Sequence, residues 1–413
     1  MIKKFWGSSF KEFLKYLGPG FFVTVGFIDP GNWATNIAGG AKFNYSLLWV
    51  ITLSTIMLIY IQNLSAKIGI ISGGSFAANI RANYPRFVSN FLGATIVLAC
   101  IATDIAEYLG AAIGFNLLFG IPLYIGAPLT VLFVFFAILG QRFKNLERMV
   151  VSFFAVIAGC YVVELFIVKP DMSAAVKGMV IPTVSSGSIL IAMGMLGAVV
   201  MPHNIYLHSN VIQSRDWTGD EAKKRRLIRL ELADTTIAMV MGWLVNSSMI
   251  IVAAAVFFKA GLPVESIEKA SETLRPLAGN MAQLLFGTAL LFAGVGSSIT
   301  SSLAEANIIT GFLGKPEDTH SKTYRIALIA TSIPAMFIIA MGLDSFKILI
   351  ISQVALSLQL PFTVIPLLMV SRNKKIMGNF AISSFNLLIG GIITAVIIFL
   401  NGLLLYQLFG GKF

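Results

Sequence analysis

The chain reads as long apolar runs joined by short polar segments. Eleven such runs follow one another, near 18–43, 46–71, 88–116, 122–140, 148–168, 187–213, 230–258, 280–311, 323–340, 345–369 and 381–409. Roughly 20 apolar residues suffice for an α-helix to cross a bilayer. Lipid offers no partner for backbone N–H and C=O groups, so spans of this kind are helices. The longest joints, 214–229, 259–279 and 312–322, are too small to hold a domain. The pattern predicts an all-α membrane protein with eleven transmembrane helices in one transporter domain, 1–413. The first run is long and glycine-broken and lacks a small-residue cleavage pattern, so it is read as a retained span and not as a signal peptide.

Polar residues interrupt two runs in similar ways. The first carries "IDPGN" at 28–32, and the sixth carries "GAVVMPHNIYLH" at 197–208. Pro30 and Pro202 each remove a backbone donor and clash with the preceding turn. Freed carbonyls at membrane depth must find partners or line a cavity. A single intramembrane proline also reads as a simple kink. Two breaks, five spans apart and each flanked by polar side chains, point instead to a transporter site at the bilayer midplane. They predict a 5+5 inverted repeat, about 18–168 and 187–369, with broken helices 1 and 6. The run at 381–409 is then an extra helix.

The residues at the breaks form a mixed donor set. A charge at the depth of Asp29 needs a partner or a function. Asn32 lies three residues on, across the break. Met201 brings a thioether, and the Ala198 carbonyl loses its helical donor because residue 202 is proline. Mg²⁺ and Ca²⁺ take oxygen ligands; a thioether selects softer transition metals. As one of sixteen methionines, Met201 equally reads as packing. Its place directly before the break favours a ligand role.

Other polar residues lie deep in the runs. Asp104 and Glu107 share a helix face at i, i+3. They read as a proton relay, or as a structural contact with arginines or hydroxyls. His203 and His208 stand about 500° apart around a helix, so they are not an i, i+4 metal pair. They read as proton carriers or as packing histidines. Asn246, Gln353 and Glu305 are candidate polar lining, or bonds between helices. Glu147 and Arg148 read as a structural or gating pair, and Asp234 as interfacial.

Composition narrows the class. Of the residues, 57% are hydrophobic and 12% charged, and the mean hydropathy is +0.84; a soluble chain carries far more charge. The net charge of +11 could suggest a nucleic-acid partner, but 22 of the 30 basic residues fall on alternate joints. That is the positive-inside pattern. It predicts a cytoplasmic N-terminus and an outside C-terminus, and it excludes nucleic acid as a partner. "KKRR" at 223–226 reads as a short orienting loop. Cys100 and Cys160 lie in apolar runs, offer neither a disulfide framework nor a zinc spacing, and read as packing residues. No catalytic triad, phosphate loop or soluble catalytic domain supports an enzyme. A channel is disfavoured by the paired breaks. A sodium-coupled carrier of an organic solute would want a half-helix N-terminus facing a substrate carboxylate, and Asp29 works against that.

Several motifs together carry a resemblance. They are "DPGN" at 29–32 with "TNI" at 35–37, "ATDIAE" at 102–107, "MPHN" with "YLHS" at 206–209, "WLVNS" at 243–247 and "SQVALSLQLPF" at 352–362. In these the chain resembles the Nramp family of divalent metal transporters. The resemblance implies a LeuT-type fold, alternating access, and uptake of Mn²⁺ or Fe²⁺ with protons across a bacterial plasma membrane, without a cofactor. It implies metal ligands at Asp29, Asn32, the Ala198 carbonyl and Met201, with Gln353 joining in the occluded state. It maps the proton route onto Asp104 and Glu107, with His203 near the metal. The chain departs from the family pattern at Trp33, at Gly74–Ala77 and at Ala304–Asn307. Some relatives that carry Mg²⁺ replace the site methionine, whereas this chain keeps it; the alternative within the family is a Mg²⁺-permeable relative with weak or absent proton coupling.

Overall fold

The structure, a computed structural model, describes residues 15–185, 187–262, 264 and 266–411. The regular elements among them are helical. The chain enters through α1 (Pro19–Gly26) and α2 (Pro30–Phe43), the two halves of the first predicted span. Then come α3 (Leu48–Ser72), a short α4 (Phe76–Asn83), α5 (Arg86–Phe119), α6 (Leu123–Gly140), α7 (Phe143–Val168) and a short α8 (Met172–Val180). The sixth span is again two halves, α9 (Ile189–Val199) and α10 (Pro202–Val211). The rest is α11 (Glu221–Ala253), α12 (Ile267–Leu313), α13 (Lys322–Ala330) with α14 (Ser332–Ala340), α15 (Ser345–Arg372) and α16 (Ser384–Leu408).

Ten helical segments among the described residues are long and apolar enough to cross a membrane. They coincide with ten of the eleven predicted runs. The remaining run is the first, which its break divides into halves of 8 and 14 residues.

Two joints are more helical than their polar composition suggests. The expected loop 259–279 is largely the start of α12, a 47-residue helix about 70 Å long. Ser266 begins it by accepting a hydrogen bond from the Lys269 N–H, which satisfies one of the donors a helix start leaves open. "KKRR" at 223–226 is likewise not a loop. It lies in the first turns of α11, after Asp220 accepts from the Lys223 N–H.

Packing places both breaks at the centre. α2 meets α5, α9, α11 and α15, while α12 runs along α5. Side chains such as Phe133, Phe136 and Phe166 on α6 and α7 point outward, as lipid-facing residues do. Cys100 and Cys160 are buried free thiols.

Candidate functional site

The first break is built by local chemistry. Pro30 takes the opening position of α2, where its missing N–H costs no helical bond. Asp29 is the N-cap, in extended conformation. Its Oδ2 accepts from the Gly31 N–H at 3.1 Å and its Oδ1 from the Asn32 N–H at 3.0 Å. α1 ends in a tightened turn, with Phe27 N–H and Ile28 N–H bonded to Thr24 and Val25 carbonyls. Asn32 ties the halves together. Its Nδ2 donates to the Phe27 carbonyl and to Asn246 Oδ1, and its Oδ1 accepts from Asn36. An amide oxygen has a second lone pair, so Asn32 Oδ1 can still face an ion.

The second break repeats the plan without the carboxylate. Pro202 opens α10, and Met201 occupies the cap position with no side-chain cap bond. The Ala198 carbonyl has lost its i+4 donor to that proline. Met201 Sδ accepts from Asn204 Nδ2 at 3.6 Å.

α15 joins the two breaks. Gln353 Nε2 donates to Asp29 Oδ2 at 3.1 Å, while its Oε1 is buried with no donor. A Cβ on Gly31 would overlap Gln353 Nε2, and one on Gly197 would overlap the Gln353 backbone carbonyl. Glycine at both positions lets α15 touch each break. Asp29, Asn32, Ala198, Met201 and Gln353 are all fully buried, so the site is closed to solvent. Among the described residues, no three His, Cys, Asp or Glu side chains converge on a metal position. The donors available here are one carboxylate, two amide oxygens, one free backbone carbonyl and one thioether.

Asn204 is a site residue that sequence reasoning missed. It is 1% exposed, bonds Met201, and packs against Gly26 of the opposite break. Its Oδ1 has no partner. The signal was present in "MPHN", one turn after Met201.

Asp104, Glu107 and Glu305 gather in one buried cluster between α5, α12 and the α13–α14 junction. Ser301 Oγ donates to Glu107, and Thr331 Oγ1 donates to Glu305 Oε2 at 2.7 Å. The Tyr108 hydroxyl bonds Ser302 and Ser332. Glu305, expected as polar lining, thus belongs with the two α5 carboxyls; hydroxyls, not arginines, are the partners. Asn246, by contrast, contacts the first break through Asn32. His203 Nδ1 reaches Thr103 Oγ1 at 3.2 Å, beside Asp104 in sequence, and its Nε2 is buried and free. His208 stands apart from this cluster: its ring bonds Gln62 and Glu231, each at 3.0 Å.

The end of the bundle where α1 begins is held by polar contacts. Asp234, read as interfacial, is buried within the bundle, and it accepts from the Gly18 and Gly20 N–H groups. An acid there caps α1 and suits the positive end of its dipole. Glu147 pairs with Arg215 at 2.7 Å and not with Arg148; Arg215 also donates to the Leu17 carbonyl. Nearby, Glu317 accepts from Ser75 Oγ and Asn210 Nδ2, each at 2.5 Å. Burial pushes the Glu317 carboxyl above its ordinary pKa, against the pull of those two bonds. A cavity of about 530 Å³ lies here, with Arg142, Leu207, Asn210, Asn307, Glu317 and His320 in its wall. At the opposite end a cavity of about 700 Å³ has Lys42, Ile191, Lys269, Asp344, Phe346 and Lys347 in its wall. Neither wall includes Asp29 or Met201.

Comparison with known proteins accords with this geometry. Residues 20–407 match the family described as natural resistance-associated macrophage protein-like. A divalent metal cation transporter MntH of Caldanaerobacter subterraneus is 42% identical over 409 residues, 98% of this chain and 96% of that protein. The Bacillus subtilis protein of the same name is 39% identical over 407 residues, 97% and 94% of the two chains. A crystal structure of the Eremococcus coleocola manganese transporter superposes with a TM-score of 0.83 at 32% identity, over 95% of this chain and 86% of that one. The LeuT-type fold extends to Mhp1, a nucleobase-cation-symport-1 family transporter, at a TM-score of 0.61 and 15% identity, over 90% and 81% of the chains. With the family model matching residues 20–407 and relatives about 40% identical over nearly its whole length, the chain belongs to the natural resistance-associated macrophage protein (Nramp) family.

Proposed function

We propose that this protein imports divalent transition-metal ions, Mn²⁺ and Fe²⁺, across a bacterial plasma membrane by alternating access, with protons as the coupling ion. The observation that carries the reading is the donor set at the two breaks. Asp29 supplies the only carboxylate; Gln353 Oε1 is a buried acceptor with no donor; Met201 adds a soft ligand. Modest charge suits an ion that must leave again, and sulfur disfavours Mg²⁺ and Ca²⁺. Relatives named as divalent metal cation and manganese transporters support the same substrate class.

The broken helices lie one in each of two repeats, about 18–168 and 187–369, and α16 stands outside both. With the N-terminus in the cytoplasm, the Asp234 and Glu147–Arg215 contacts close the inner end. Each positive charge moving inward gains about 2.3 kcal/mol per 100 mV of membrane potential. Asp104 and Glu107 carry the protons, and His203, next to the metal site, assists them.

Uptake into proteoliposomes tests this, with a panel of Mn²⁺, Fe²⁺, Mg²⁺ and Ca²⁺ and an internal pH dye. Mn²⁺ and Fe²⁺ should enter saturably and acidify the lumen, while Mg²⁺ and Ca²⁺ compete weakly. Sodium-driven uptake of an amino acid, without any metal uptake, would overturn the reading.

A further inference from the structure

The carboxyl cluster beside the metal site is short of donors. Asp104, Glu107 and Glu305 are fully buried, and no ion pair among the described residues reaches them. The groups facing them are Cys100 and Tyr108 of α5, Ser301 and Ser302 of α12, and Thr331 and Ser332 at the α13–α14 junction. His203 of α10 approaches through Thr103, and Asp29, the N-cap of α2, lies within electrostatic range of Glu107. Hydroxyls can satisfy some of these oxygens but neutralise none. An isolated buried carboxylate is strongly disfavoured, so a site without a cation takes up protons instead.

The geometry says where one proton sits. The Asp104 and Glu305 carboxyls, from different helices, share one buried pocket: Thr331 bonds Glu305, and Ser332 beside it bonds Tyr108, one turn on from Asp104. Thr331 already donates to Glu305 Oε2. Glu305 Oε1 and both Asp104 oxygens have no donor. Two ionised carboxylates offer one another only acceptors, and they repel. One proton between them supplies the missing donor and removes one charge.

We propose that Asp104 and Glu305 form a carboxyl pair that holds one shared proton, so that Glu305 is a proton-carrying partner in the transport cycle. The proposal rests on the proton-coupled reading above. With the proton the pair carries one negative charge. Without it, two like charges stand opposed across the α5–α12 contact. The shared proton therefore favours the packed arrangement described here, and its departure loosens that contact.

Infrared spectroscopy of the purified protein in lipid tests the pair, alongside Mn²⁺ uptake with internal pH recorded. The wild type should show a protonated-carboxyl stretch at neutral pH that shifts in D₂O. Glu305→Gln should abolish that band and lower metal-linked acidification about five-fold or more, with Mn²⁺ binding retained. Thr331→Val leaves both carboxyls in place and should shift the band without removing it. A band unchanged in both variants overturns the proposal, whatever the transport. Wild-type acidification with no effect of Glu305→Gln overturns the pair while proton coupling stands. A band lost in Glu305→Gln, with metal uptake that never acidifies the lumen, upholds the pair and overturns proton coupling.

Discussion

Gly197 sits one residue before the Ala198 carbonyl, where α9 meets α15. A Cβ there would overlap the Gln353 carbonyl oxygen and would lie 2.8 Å from Ser357 N and 3.1 Å from Ser357 Cβ. Ordinary contact begins at 3.4 Å, so Ser357 N alone demands a retreat of about 0.6 Å. Two of these are backbone atoms of a continuous helix and the third is the Cβ fixed to it, so none can rotate aside as a side-chain tip would. The retreat carries Gln353 with it. Its 3.1 Å bond to Asp29 then passes beyond useful hydrogen-bond length. Overpacking of this kind costs about 1–3 kcal/mol. On the proposed function, the closed arrangement in which α9 and α15 touch is the one that holds the ion, and it bears that cost. Gly197→Ala should therefore weaken apparent Mn²⁺ affinity about 5–150-fold, measured as concentration-dependent uptake into proteoliposomes. Gly391→Ala on α16, where a Cβ meets nothing within 4 Å, should transport as the wild type does. Wild-type affinity and rate in Gly197→Ala would refute the idea that α15 closes on both breaks to hold the ion.

Met201→Ala should narrow the preference for Mn²⁺ over Mg²⁺ and Ca²⁺, because the soft donor is gone; competition uptake reads this, and unchanged discrimination would count against the sulfur. Arg215→Ala leaves the buried Glu147 without its partner and frees the Leu17 carbonyl; it should favour opening at that end. A cysteine placed at Leu207, in the cavity wall, should then react with a membrane-impermeant thiol reagent about five-fold faster or more. Glu317 gives a pH dependence of definite sign. Its pKa is raised by burial, so the folded state holds the proton more tightly than the unfolded chain does. Its contribution to stability is full below the ordinary glutamate pKa and is lost as pH climbs through the raised value. Thermal midpoints across that range should fall with rising pH in the wild type and flatten in Glu317→Gln.

Much of this architecture was legible along the chain. Apolar run lengths marked the spans, because a bilayer demands about 20 such residues per helix. The two breaks were legible because proline acts within one turn of itself. The orphaned Ala198 carbonyl followed from the same short range. What the sequence left undecided were the pairings between distant residues. Gln353 meets Asp29 across 324 positions, and Asp234 meets Gly20 across 214. Glu305 accepts from Thr331, His208 turns to Gln62 and Glu231, and Arg215 takes the partner expected of Arg148. Backbone chemistry is set by neighbours within about four residues, so helix starts, breaks and spans can be read locally. Which side chains meet depends on the rotation and depth of each helix against the others, and only the packed bundle, with glycines at Gly31 and Gly197 admitting α15, decides that.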